Sequence, residues 1–240
     1  MSSRSDVTLG RRFSRLRFDH VGRITGVLLD VDGTLLDSNE AHAMAYLEAL
    51  RAHGIEQSFE RVRRMIGMGS DRILPILAGV DADSDLGRRI TETKRAVFRE
   101  RYLPGLKPVR GARELLEELR ARSLKLVVAS SAGAEELHML LKAASVDDLI
   151  EHATSADDAE ESKPAPDIVE AAVRQSGLPK EKLVMTGDTP YDIEAARKAG
   201  VGIIALRSGG WDDRDLAGAM AIYNDPLDLL AHIESSPLAD

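Results

Sequence analysis

Two acids, Asp30 and Asp32, close the apolar run in "GVLLDVDGTLLDS" (26–38). Like charges beside a buried strand repel, so the pattern calls for something that the carboxylates hold. Other polar residues end further apolar runs: Ser130 after "LKLVVA", and Gly187 and Asp188 after "KLVMT". Lys163 lies in "SKPAP", just ahead of a helical pattern. Asp30, Asp32 and Asp188 offer oxygen alone, with no His or Cys among them. Such a donor set suits a hard cation, and Mg2+ is the expected one. Lys163 adds a fixed positive charge and Ser130 a hydroxyl donor. A cation, a lysine and a hydroxyl together fit a phosphoryl group, whose transfer is largely a matter of stabilising charge. Asp30 is then the expected nucleophile, forming an aspartyl-phosphate. Asp32 is expected to protonate the leaving oxygen and later to take a proton from the attacking water. Gly33 lets the chain turn tightly at this point.

Elements must bring these residues together. "ITGVLLD" (24–30), "LKLVVAS" (124–130), "KLVMTGD" (182–188) and "VGIIALRS" (201–208) read as buried strands. Between them, 111–122, 134–144, 166–177 and 191–200 have amphipathic helix spacing, the last two closing on Gly177 and Gly200. Strands alternating with helices imply an α/β fold with a doubly wound parallel sheet covered on both faces. Ligands of such a sheet sit beyond the carboxyl ends of its strands, where Asp30, Asp32, Ser130 and Asp188 fall. From about Asn39 to Leu103 no strand is legible, and the stretch ends at "LPGLKPVRG" (103–111), a linker signal. The chain is therefore divided into a tail (1–22), a core (23–38 and 105–240) and a helical insertion (39–104). "SADDAEESK" (155–163) reads as a solvated loop, and the lone Trp211 as a cover for the sheet edge.

Composition narrows the function. The chain has 240 residues, 43% hydrophobic and 30% charged, enough for one sizeable core and a small accessory unit. A net charge of −8 argues against a nucleic-acid binder. There is no cysteine, so disulfides and thiolate chemistry are excluded. No apolar run approaches the roughly 18–20 residues of a membrane span. The Arg- and Ser-rich start contains Asp6 and Asp19, which weaken a transit-peptide reading. A cytoplasmic protein acting on a small phosphorylated metabolite, with neither nucleic acid nor membrane as partner, is the expectation.

"DVDGTLLDS", "VVASS", "SKPAPD" and "GDTPYDIEAARKAG" resemble the four motifs of the haloacid-dehalogenase-like hydrolases, in their phosphoglycolate-phosphatase and β-phosphoglucomutase-like branch. The resemblance runs from about Thr25 to Ile233. It implies a Rossmann-like core with a small helical cap after the first strand. It makes Asp30 the nucleophile, Asp32 the acid/base, and Ser130 and Lys163 the holders of the phosphoryl group. It gives Mg2+ to Asp30, Asp188 and the backbone carbonyl of Asp32, and has Asp192 orient a bound water or Lys163.

Within that superfamily Asp32 discriminates. The resemblance implies that halide- and phosphonate-cleaving relatives lack an acid at this position, and that the latter carry a Schiff-base lysine in the cap. Lys94 of the insertion, in a charged helical stretch, is expected to be exposed. Cleavage of a phosphate ester is favoured. His42 stands where sugar-phosphate mutases of the branch carry a histidine that gates the acid/base, so a mutase is the alternative. Arg64 and Arg72, in "RRMIGMGSDR" (63–72), are candidates for the substrate's remote end. A catalytically idle binding module would need a missing motif, and none is missing. Phosphoglycolate, a sugar phosphate and a nucleotide all remain open as substrates.

Overall fold

The protein is described by a computed structural model covering residues 23–239. The segment 1–22, read as a tail, lies outside the described residues. Among the described residues six strands form one all-parallel sheet in the order β3-β2-β1-β4-β5-β6. They are β1 (Gly26–Leu29), β2 (Lys125–Ala129), β3 (His152–Thr154), β4 (Leu183–Gly187), β5 (Gly202–Leu206) and β6 (Ala221–Tyr223). The expected strands are present, each slightly shorter than its apolar run. The two edge strands β3 and β6 were not legible. Each has only three residues, and neither is fully buried, so no continuous apolar run marks them.

Both faces of the sheet are buried, and successive side chains serve opposite cores. Val27 and Leu29 of β1 join a cluster with Leu115 and Leu119 of α5 (Ala112–Ala121) and Leu137 and Leu140 of α6 (Ala134–Ala143). Leu28 joins the other, with Ile168 and Ala172 of α7 (Asp167–Ser176) and Ile193 and Ala196 of α8 (Pro190–Ala199). Each such fully buried Leu or Ile favours the fold by about 1.5–3 kcal/mol over an exposed one.

Between β1 and α5 the chain forms α1 (Asn39–Ala52), α2 (Phe59–Arg63), α3 (Ser70–Ala78) and α4 (Asp85–Val97). A π-helical turn, Phe98–Tyr102, extends α4. This insertion has an apolar cluster of its own, in which Tyr46, Leu50, Val62, Ile73, Leu74, Leu77 and Ile90 are all buried. It leaves and re-enters the core through adjacent segments. Asp37 N–H donates to Lys107 C=O at 3.0 Å, and Val109 N–H to Leu35 C=O at 2.9 Å. A helix α9 (Pro226–Ala231) packs on α5 near the end of the chain. Among the described residues no helix is long and apolar enough to cross a membrane.

Candidate active site

The strand order puts the topological switch point beside β1: the chain runs from it through β2 to β3 on one side, then crosses from β3 to β4 and continues to β5 and β6 on the other. A crevice opens at the carboxyl ends there. Register places Leu29 level with Val128 of β2 and Thr186 of β4. Asp30, Ser130 and Asp188 therefore follow neighbouring strands. Backbone bonds hold these ends, from Asp30 N–H to Thr186 C=O at 2.9 Å and from Ser130 N–H to Thr154 C=O at 3.1 Å.

After Asp30 the chain curls on itself. Leu35 and Leu36 N–H both donate to Val31 C=O, at 2.8 and 3.0 Å. Gly33 sits at φ +77°, and a Cβ there would run into Asn39 and Asp188, so only glycine fits. Gly209 is pressed against Asp188 from the other side. The Asp188 carboxylate accepts from Asn39 Nδ2 at 2.8 Å and from Thr34 Oγ1 at 3.4 Å.

Lys163 is fully buried. Its Nζ lies 2.6 Å from Asp30 Oδ1 and 2.8 Å from Asp192 Oδ1. Asp192 is fixed by the start of α8. Its Oδ2 accepts from Thr189 N–H at 3.0 Å and Thr189 Oγ1 at 2.6 Å, while Thr189 Oγ1 accepts from Asp192 N–H. This reciprocal cap, followed by Pro190, is what "GDTPYD" encodes. Burial lowers the Lys163 pKa and the two aspartates raise it; the aspartates win, and the ammonium stays charged.

Carboxylate oxygens of Asp30, Asp188 and Asp192 lie within 4.8 Å of one another, all three residues buried. Burial pushes Asp30 up from 3.8 to about 7, against the pull of Lys163 and with help from the neighbouring acids. Asp188 is raised well above the ordinary range by burial, then by Asp30 and Asp192. Ionised together, the three carboxylates would carry more negative charge than Lys163 offsets, which is why burial side by side disfavours their charged forms, and they offer hard oxygen donors only. Both features fit a divalent cation such as Mg2+.

The side chain of Asp32 does not join this trio, a departure from the expected metal group of Asp30, Asp32 and Asp188. It turns toward α1, where Ser38 Oγ and His42 Nε2 both contact its Oδ1, the latter at 2.8 Å. Burial would raise its pKa, but His42 and Ser38 override that and hold the carboxyl at about 2. The reason is local: Ser38 stands at the N-cap of α1, six residues after Asp32, and His42 lies in the first turn of that helix.

Above Asp30 and Asp32 lies a cavity of about 500 Å³. The insertion supplies His42, Tyr46, the segment 66–71, Thr91 and Lys94 to its walls, and the core supplies Ser131, Gly133, Glu136 and Ser162. Ser130 sits just beneath, 1% exposed, with its Oγ accepting from Ala132 N–H at 3.1 Å. That leaves its own hydrogen free to donate. Ser130 makes no side-chain hydrogen bond to the three carboxylates.

Several expectations are corrected. Lys94 is buried, 7% exposed, because Glu136 of α6 meets its Nζ at 2.8 Å and the rings of Tyr46 and Phe98 flank it. Glu136 holds it protonated despite burial, which leaves no free amine for a Schiff base. Arg64 does not line the cavity; its guanidinium lies 4.6 Å over the Trp211 ring and 3.2 Å from Asp215. Arg72 also points elsewhere, pairing with Glu161 at 2.5 Å. Trp211 does not merely cover an edge: it packs edge-on to Tyr191 and under Arg64, joining insertion to core. The loop 155–163 is solvated as expected at Asp157, Asp158, Glu160 and Glu161, all exposed, and it is a wall as well, with Ala156, Ala159 and Glu160 lining the cavity and Asp157 capping the first N–H of α6. Sequence reasoning missed Ser38, Asn39 and Glu136. "DSN" directly after the first motif was a usable signal for the first two; Glu136 had none, since its partner is 42 residues away.

The family model described as "Haloacid dehalogenase-like hydrolase" matches residues 27–206. Phosphoglycolate phosphatase of Aquifex aeolicus is 30% identical over 179 residues, covering 72% of this chain and 80% of that protein. Protein SUPPRESSOR OF QUENCHING 1, chloroplastic, of Arabidopsis thaliana is 30% identical over 79% of this chain, but the chain spans only 18% of that much longer protein. A crystal structure of a hydrolase from Pseudomonas syringae superimposes with a TM-score of 0.83 at 35% identity, covering 90% of this chain and all of that one.

Proposed function

This chain belongs to the haloacid dehalogenase-like hydrolases, and from that membership we propose that it is a Mg2+-dependent phosphatase that cleaves a small phosphomonoester through an aspartyl-phosphate on Asp30. The observation that carries the reading is the contact of the buried Lys163 with Asp30, 2.6 Å, at the floor of a cavity that Asp32 also lines. The naming of a relative as a phosphoglycolate phosphatase agrees with it.

In this reading Asp30 Oδ attacks phosphorus, while Asp32, ionised in the free protein, takes up the proton that the substrate monoanion brings and passes it to the leaving oxygen. Water then attacks the aspartyl-phosphate, Asp32 takes a proton from it and gives that proton to the departing phosphate, and the starting state returns. Lys163 and the Ser130 hydroxyl hold the non-bridging oxygens. Asp30, Asp188 and the backbone carbonyl of Asp32 would hold Mg2+, which when bound supplies positive charge to the phosphoryl oxygens. Asp192 keeps Lys163 aimed at Asp30. The insertion, 39–104, acts as a cap over the core formed by 23–38 and 105–240, and shields the reaction from water. The cytoplasm is the proposed compartment.

The test is phosphate release from phosphoglycolate, sugar phosphates, nucleotides and p-nitrophenyl phosphate, with Mg2+ and with EDTA. Mg2+-dependent release from one or two members, abolished in Asp30→Asn, is expected. No release from any member sinks the reading. One contact favours a second reading, a sugar-phosphate mutase: His42 Nε2 lies 2.8 Å from Asp32. Isomerisation of β-glucose 1-phosphate tests it.

A further inference from the structure

Glu136 occupies the first turn of α6, on the core side of the cavity. Its Oε1 lies 2.8 Å from Lys94 Nζ of α4 and 3.7 Å from His42 Nδ1 of α1. His42 turns its other nitrogen, Nε2, to Asp32 Oδ1 at 2.8 Å. The imidazole lies flat on Phe98, with ring centroids 4.0 Å apart and planes 5° from parallel. Lys94 Nζ stands 5.1 Å from the centre of the same Phe98 ring. His42, Lys94 and Phe98 all belong to the insertion. From α6, Glu136 reaches two of them, His42 and Lys94.

We propose that Glu136 is a positioning residue for Asp32. It acts through His42, and its bond to Lys94 holds it in place to do so. Stacking on Phe98 fixes the plane of the imidazole but not which edge faces which neighbour. A carboxylate at each ring nitrogen, Glu136 at Nδ1 and Asp32 at Nε2, removes that freedom. Lys94 in turn holds the Glu136 carboxylate, whose burial would otherwise disfavour its charge. The Asp32 carboxyl is thereby aimed only while α1 and α4 sit against α6. The inference rests on the phosphatase reading, in which Asp32 handles the leaving-group proton.

That dependence gives a specific signature. An alkyl phosphate needs a proton on its leaving oxygen, whereas p-nitrophenolate leaves without one. In Glu136→Gln the ratio of kcat on an alkyl phosphate to kcat on p-nitrophenyl phosphate should fall about tenfold to a hundredfold. A merely structural role would lower both rates together and leave the ratio alone. Lys94→Met/Glu136→Met guards against loss of folding, since it replaces the buried pair by apolar groups of similar length. It should melt near the wild-type temperature and show the same fall in ratio. A ratio unchanged in both variants overturns the proposal. A readout without turnover keeps the two readings apart: 15N signals of the His42 ring and the 13C carboxyl signal of Asp32. Both should move in Glu136→Gln. If they stay put, Glu136 does not position Asp32, whatever the enzyme hydrolyses. If they move in a protein whose wild type releases phosphate from no ester, the positioning stands and the phosphatase reading falls.

Discussion

The ammonium of Lys163 lies 2.6 Å from Oδ1 of Asp30, and the lysine is 0% exposed. A cation and a carboxylate buried together gain only if their geometry is good and their remaining valences are met. Asp192 meets one of them, 2.8 Å from the same Nζ. Removing the lysine strands two carboxylates without water. Lys163→Met should therefore cost about 3–5 kcal/mol of stability and eliminate measurable turnover. Urea denaturation at neutral pH, without metal, checks the first part; an unchanged midpoint would refute it.

Asp30 has a pKa raised from 3.8 to about 7 by burial and by its acidic neighbours. A carboxyl with a raised native pKa binds its proton more tightly folded than unfolded, so its stabilising contribution is complete below pH 3.8. It is lost as pH climbs toward 7. In EDTA, this site should erode the melting temperature across that window. Mg2+ should restore it, with a gain that grows with pH as fewer protons compete for the oxygens. Thermal melts from pH 4 to 8, with and without Mg2+, test this; a Mg2+ gain that is flat with pH would contradict it.

In the proposed mechanism the roles of Asp30 and Asp32 should separate cleanly. Asp30→Asn is expected to fold normally and release no phosphate. Asp32→Asn should lose about 10²–10⁴-fold on alkyl phosphates and much less on p-nitrophenyl phosphate. Rapid-quench detection of phosphoenzyme in Asp32→Asn would show the first half-reaction surviving. Wild-type rates on alkyl phosphates in that variant would disprove the role of Asp32.

Gly209 and Gly33 press on Asp188 from two sides. Gly209→Ala must displace that carboxylate, and Mg2+ affinity should drop about 10–100-fold, as when a partner that orients a metal ligand is lost. Isothermal titration with Mg2+ measures it. An unaltered Kd would mean that Asp188 is not a ligand.

Arg64 sits over Trp211 and outside the cavity wall. Arg64→Ala should cost roughly 0.5–1 kcal/mol of stability, the worth of an exposed cation–π contact. It should leave KM essentially as it was. A KM rise of tenfold or more would return Arg64 to the substrate.

What could be read in the sequence, and what could not, follows from how local each signal is. Asp30, Ser130 and Asp188 close apolar runs, and the parallel sheet carries such residues to one edge by register alone. Thr189 and Asp192 form a cap within four residues of chain, so "GDTPYD" announces both the helix and the partner of Lys163. Lys94 was misjudged because the helix around it is charged, and the acid that buries it lies on another element. Asp32 was expected among the metal ligands by charge counting. Its actual direction is set by His42 and Ser38, whose approach depends on where α1 starts. Arg64 and Arg72 were assigned by proximity in sequence to the cavity-lining segment 66–71. The alternation of directions along a short turn was beyond that reasoning.

The insertion departs and returns where Asp37 bonds to Lys107 and Val109 to Leu35, and its apolar residues satisfy one another. A segment tethered by two neighbouring strands of chain can be lengthened, trimmed or exchanged without disturbing the pairing of the sheet. Inheritance can therefore act on the two parts separately. On the proposed reading, the floor would handle phosphorus under one set of constraints, while the roof, which would select the rest of the molecule, drifts under another. Such a layout lets one chemistry spread over many substrates with little penalty to folding.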